Sequence, residues 1–200
     1  MMASPRIDSQ RRLVLASSSP RRKDILSGVF SEFVIDPPKK PEKPIAPGVD
    51  PDVSVLALAR EKAEEVAQRH PDSIVIGCDT CVWTNHVLGK PQDRADAQQM
   101  LQELSGRKHT VISGLWVIDT KDQRSLYAVE RTDVYFDELS PEDVNYLLDS
   151  GEYEGKAGAY AIQGLTGLFI RGIEGDYNNV VGLPMRTLYR ILREFGICVP

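Results

Sequence analysis

The segment Ser73-Ile74-Val75-Ile76-Gly77-Cys78 constrains the fold of this chain more than any other. It is a nearly continuous apolar run, the pattern of a strand buried on both faces. Strand-like and helix-like periods alternate around it, so the chain reads as α/β. The run meets Asp79-Thr80. In open α/β sheets ligands gather at the carboxyl ends of strands, so Asp79 is placed where chemistry is usual. The bland alternative is a turn or helix-cap aspartate. Against it, Cys81-Val82-Trp83 stays apolar, so Asp79 interrupts a strand-like stretch. An acidic side chain there needs a cation, a metal or a chemical task.

A second constellation lies nearer the start. Leu13 to Ala16 reads as a strand, and Pro20 to about Ser27 as a helix. Between and across them runs Ser17-Ser18-Ser19-Pro20-Arg21-Arg22. Ser19 suits the cap and Pro20 the first helical position. A helix start leaves N–H groups unpaired and carries partial positive charge. Two arginines in that first turn oppose the macrodipole unless an anion sits there, and a phosphate ester fits. The competing reading is a solvated basic turn.

Phe33 to Ile35 reads as a short strand, followed by a loop studded with Pro37, Pro38, Pro41, Pro44, Pro47 and Pro51. Proline at that density forbids helix and central strand, and loops of this length are often functional. Asp52 to Arg69 reads as a helix with Val55, Leu56, Ala59, Ala63, Val66 and Ala67 on one arc. Lys62 falls inside that arc. It is either a snorkelling stem or a cation aimed into a pocket. Asn85-His86 reads as a hairpin tip and Asp93 to Leu104 as a helix. His109 to Asp119 and Ser125 to Phe136 read as an antiparallel pair, and Ser140-Pro141 as the start of a further helix. The glycine-rich stretch Gly155 to Gly164 lets backbone approach a ligand closely. Phe169 to Ile173 reads as a strand, and a last helix runs from Pro184 to Gly196.

Composition sets the outer bounds. Two hundred residues suit one domain: 1–11 as a flexible tail and 12–200 as a single folded unit. A net charge of −5 argues against a broad nucleic-acid surface. No apolar stretch approaches the ~20 residues of a membrane span. Three cysteines with no secretory signal point to a reducing, cytoplasmic setting. Cys78-Asp79-Thr80-Cys81 is formally a C-x-x-C, but its flanks are strand-like, whereas a redox pair opens a helix. His70, His86 and His109 lack zinc-ligand spacing.

Six motifs stand in order along the chain: Ala16-Ser17-x-Ser19-Pro20-Arg21-Arg22, Gly77-x-Asp79-Thr80, Gly89-Lys90-Pro91, Leu104-Ser105-Gly106-Arg107-x-His109-x-Val111, Lys156-Ala157-Gly158-Ala159-Tyr160-x-Ile162-Gln163-Gly164 and Val181-Gly182-Leu183-Pro184. With them the chain resembles the Maf proteins, the septum-formation-inhibitor family, from about Leu13 to Phe195. That resemblance implies the inosine-triphosphatase-like fold, a long mixed β-sheet flanked by helices. It implies hydrolysis of a nucleoside triphosphate to monophosphate and pyrophosphate, and a homodimer.

Arg21, Thr80 and Gln163 resemble the branch acting on dTTP and UTP, at the positions that set base choice. Ser17, Arg21, Arg22, Lys62 and Lys90 match the phosphate-side positions. Asp79 matches the general base. A second family carboxylate falls at Glu42 by ungapped counting, with Asp36 as the other candidate. On this reading Asp79 and Glu42 hold a divalent metal, Mg2+ or Mn2+, and Lys90 joins them in the catalytic set. Cys78, Cys81 and Ala161 depart from the family pattern without removing a charge. A non-catalytic nucleotide sensor acting in cell division is the competing class. The retained Asp79 and cationic positions favour an enzyme.

Overall fold

The computed structural model describes residues 11–41, 45 and 48–197. Helices flank both faces of a mixed seven-stranded sheet. The chain begins with strand β1 (Arg12–Leu15), helix α1 (Pro20–Ser27), strand β2 (Val34–Ile35) and helix α2 (Pro51–Ala67). The long strand β3 (Ser73–Trp83) turns back through β4 (Val87–Leu88) into helix α3 (Arg94–Leu104). Strands β5 (Lys108–Asp119) and β6 (Arg124–Phe136) form the expected antiparallel pair. Helix α4 (Pro141–Asp149), strand β7 (Ile170–Glu174) and helices α5 (Tyr177–Val181) and α6 (Met185–Glu194) complete the order. Of the segment 1–11 expected to be a tail, only Arg11 lies among the described residues, paired with Asp119 and Asp122.

The main strand order is β2-β1-β3-β5-β6-β7, with β4 pairing β3. Strands β1 and β2, and β1 and β3, run parallel; the other pairs are antiparallel. Residues of β3 alternate between the two faces, as strand geometry demands. Ile74, Ile76 and Cys78 join a core with Leu26, Leu188 and Leu192 from α1 and α6. On the opposite face Val75 packs with Ala63 and Val66 of α2, and Cys81 with Val55. A third core gathers α3, α4, Phe136 and Tyr160 at the far end of the sheet.

Two glycines set how closely α2 approaches the sheet. A Cβ on Gly77 would stand 2.2 Å from the Ala59 carbonyl oxygen, and one on Gly114 would stand 2.6 Å from the Val55 carbonyl. No side chain fits at either place, so the helix backbone lies directly against β3 and β5.

The placement of Asp79 at a strand's carboxyl end is corrected, while its reading as an acid inside a longer strand-like stretch holds: β3 continues to Trp83, and Asp79 pairs with Gly114 of β5 in the middle of the ladder. The opening comes from the neighbouring strand instead. β1 covers β3 only as far as Ile76, and β4 joins it only at Val82. Between them the edge of β3 from Gly77 to Cys81 has no strand partner on that side. Helix α5 was not expected from the sequence. Its five residues are too few for a hydrophobic period to show.

Candidate active site

A cavity of about 920 Å3 opens at the uncovered edge of β3. Its walls come from the β1–α1 turn, the proline loop, α2, β3, Lys90, the glycine-rich stretch and the Gly182 turn. Ser17, Arg21, Arg22, Lys62, Asp79, Thr80, Lys90 and Gln163, all named from the sequence, line this one cavity. Glu42 lies outside the described residues. Asp36 does not line the cavity. It accepts hydrogen bonds from Arg69 Nε at 3.0 Å and pairs with His70 Nε2 at 2.7 Å, and these hold its carboxyl down to about 2.

Asp79 is buried, with 6% of its surface exposed. Odd-numbered residues of β3 face α2, so Asp79 points at the helix that carries Lys62. Lys62 Nζ donates to Asp79 Oδ1 at 2.5 Å. The position of Lys62 on the apolar arc of α2 thus leads its ammonium to a buried carboxylate and not simply to water. A buried carboxylate needs such a partner, since an isolated charge there is costly.

Thr80 faces the other way and meets Arg22. The Arg22 guanidinium is a junction within the protein. Nε donates to the Gly182 carbonyl at 2.8 Å, Nη1 to the Cys78 carbonyl at 2.9 Å and Nη2 to Thr80 Oγ1 at 3.1 Å. Nη1 also reaches Ser17 Oγ at 3.3 Å. The Cys78 carbonyl belongs to the uncovered edge of β3, so Arg22 serves there where a strand would otherwise pair. Thr80 Oγ1 lies 2.8 Å from Ser113 Oγ on β5.

Arg21 differs from its neighbour. It lines the cavity, and its guanidinium makes no hydrogen bond or ion pair to another described residue. Burial, with the Arg22 charge beside it, shifts its pKa downward. Ser19 caps α1 by accepting from the Arg22 N–H, and Ser17 Oγ accepts from the Ser19 N–H. The strand–turn–helix anion site expected from the sequence therefore has its capping geometry.

Lys156 opens the glycine-rich motif read from the sequence but received no role there. It lines the cavity, its Nζ donates to the Glu154 carbonyl at 3.1 Å, and burial followed by the Arg21 charge lowers its pKa. Cations gathered closely enough that Arg22 bears on Arg21, and Arg21 on Lys156, form a site suited to an anion. Gln163 is exposed at the cavity wall and makes no side-chain hydrogen bond to another described residue. Its amide can offer both a donor and an acceptor to a ligand.

Glu61 and Glu64 of α2 also line the cavity, and among the described residues no cluster of three or more His, Cys, Asp or Glu side chains could hold a metal alone. Carboxylate oxygens still suit a hard divalent cation, which typically takes one or two protein carboxylates and completes its shell with water and phosphate. Cys78 and Cys81 lie three residues apart on β3, so their thiols sit in separate cores on opposite faces. Burial raises the Cys78 thiol and pushes Cys81 up to about 12. Neither supplies a thiolate at neutral pH.

Residues 12–195 match the family described as Maf-like protein. A protein of Agathobacter rectalis named dTTP/UTP pyrophosphatase is 42% identical over 205 residues, covering 94% of this chain and 99% of its own. One of the same name from Carboxydothermus hydrogenoformans is 44% identical over 186 residues, covering 92% and 99%. Among solved structures, a nucleoside-triphosphatase / dITP/XTP pyrophosphatase from Mycobacterium abscessus aligns over 62% of this chain and 74% of its own, at 20% identity and a TM-score of 0.42. That partial likeness carries no argument about the site.

Proposed function

This chain belongs to the family of Maf-like proteins, and from that premise we propose that it hydrolyses dTTP and UTP to the monophosphate and pyrophosphate. One observation carries the reading: a single cavity gathers the buried Lys62–Asp79 pair, the Arg21 and Lys156 cations and the Gln163 amide. A triphosphate bears about four negative charges, which several cations from separate elements can meet. The relatives named for dTTP and UTP cleavage support the choice of substrate.

In this proposal a water oxygen forms a bond to the α-phosphorus, and the bond from that phosphorus to the bridging oxygen breaks. Asp79 accepts the proton of the attacking water. Lys62, which donates to that carboxylate, orients it for the task. Arg21, Lys90 and Lys156 bind the phosphate chain, while Arg22 holds Thr80 and the Gly182 turn in place. Asp79 and Glu42 would hold Mg2+ or Mn2+, and Glu61 is a further carboxylate lining the cavity. Such a cation, when bound, offsets charge developing on the phosphate oxygens. Arg21 and Gln163 read the pyrimidine edge, and Thr80 shapes the pocket beside them. A homodimer in the cytoplasm belongs to the same reading. No described helix is long and apolar enough to cross a membrane.

Incubation with UTP and Mg2+ should release UMP and pyrophosphate. UDP and orthophosphate would overturn the cleavage position. Binding without turnover would leave a nucleotide sensor.

A further inference from the structure

We infer that His109 is a positioning residue for nucleotide recognition, acting through Tyr160 on the loop that carries Lys156 and Gln163. The inference rests on the nucleotide-binding reading of the cavity.

His109 stands on β5 with 2% of its surface exposed. Its Nε2 lies 2.8 Å from Tyr160 Oη, a hydrogen bond between a core strand and the glycine-rich loop. The contact is locked by ring packing. His109, Phe136 and Tyr160 meet pairwise edge to face, with centroids 5.1, 5.3 and 5.0 Å apart. Tyr160 lines the cavity, and so do Lys156 and Gln163 on either side of it in the chain. Burial holds the His109 imidazole down to about 4, so it is a neutral partner at ordinary pH. Its Nδ1 is buried without a partner among the described residues. A polar ring kept there at that cost has a use for its other nitrogen.

The loop needs an anchor. Gly158 and Ala159 are consecutive left-handed residues, at φ 67° and 59°. Glycine adopts that conformation freely, whereas alanine is strained in it. Such a residue persists only when its surroundings over-determine it. Two contacts do so. The Gly158 N–H donates to the Gly89 carbonyl at 3.0 Å, beside Lys90, and the next side chain, Tyr160, is fastened to His109. Without the second fastening the strained turn can relax, and Gln163 loses its fixed place on the cavity wall.

The test compares the full-length protein with Tyr160→Phe, His109→Phe, His109→Gln and the double Phe variant. Tyr160→Phe removes a single oxygen and keeps all three rings, so it guards against a His109 variant that fails to fold. Hydrogen exchange on the free protein should rise in the 155–164 segment and stay unchanged in β3. With substrate, KM for UTP should rise while kcat holds. The preference for UTP over GTP should fall by roughly 3- to 10-fold, the range for one lost hydrogen bond. His109→Gln, which keeps a donor and an acceptor, should recover part of that loss. The double variant should be no worse than either single one. Unchanged loop exchange in Tyr160→Phe overturns the inference. So does a lower Tm with KM and preference intact, which would make the contact core packing alone. If the unsubstituted protein releases no pyrophosphate, the proposed function fails on its own, and loop exchange then decides whether His109 holds the loop.

Discussion

Lys62 and Asp79 meet across the seam between a helix and a sheet, Nζ to Oδ1 at 2.5 Å, from positions 17 residues apart in the chain. Only the close seat of α2 on β3 makes this pairing reachable. It joins a buried carboxylate to a cation that lies on the wall of the same cavity.

Asp79→Asn should keep the fold and lower kcat by roughly 10²–10⁴, the size expected for loss of a general base. The amide is close in volume, so the core should not reorganise. Steady-state pyrophosphate release checks this, with far-UV circular dichroism as the control. A rate near that of the parent protein removes Asp79 from the chemistry.

Arg22→Lys should act on stability before it acts on substrate. A lysine cannot reproduce a fork that reaches the Gly182 and Cys78 carbonyls and Thr80 at once. The unfolding free energy should fall by about 2–3 kcal/mol, the scale of losing hydrogen bonds to a charged group. Urea denaturation measures it. An unchanged midpoint with a raised KM would instead identify Arg22 as a direct phosphate contact.

Lys156→Gln should weaken inhibition by pyrophosphate more than inhibition by UMP. The residue shares a cavity wall with Arg21, and burial, followed by the Arg21 charge, lowers its pKa, as expected of a cation awaiting an anion. Inhibition constants for the two products separate the cases. Equal losses would show that Lys156 does not address the phosphate chain.

The buried His109 makes stability depend on pH. Its folded pKa, about 4, lies below the ordinary 6.5. The unfolded chain therefore binds more protons between those values, and stability rises with pH there. The contribution is full above about pH 6.5 and is lost as pH falls toward 4. A shift of this size corresponds to a few kcal/mol at most. Denaturation midpoints from pH 4 to 7, compared with His109→Gln, isolate the effect. Parallel profiles would falsify it.

The chemistry of this chain was more legible than its geometry. The cap at Ser19 and the proline starts of α1 and α4 are local, and local rules found them. Asp79 was legible as an acid in an apolar run. Its setting was not, because the opening beside it comes from where β1 stops, not from where β3 stops. Arg22 shows the same limit. Its partners at Cys78, Thr80 and Gly182 lie 56, 58 and 160 residues away, and no spacing rule spans such distances. A lysine among glycines, as at 156, carries no periodic signal. The motif marks its place, but its part as a cation in the site shows only once Arg21 is known to share its cavity.

Gly77 and Gly114 have a consequence for how this site tolerates change. They act as a spacing gauge behind the sheet, fixing the gap between layers by the absence of side chains. The reach of Lys62 is matched to that gap. Mutations that never touch the cavity, on the hidden side of α2 or at either glycine, can therefore pull the pair apart as surely as replacing one of its members. Part of the site's tuning therefore lies behind the sheet, where no ligand reaches.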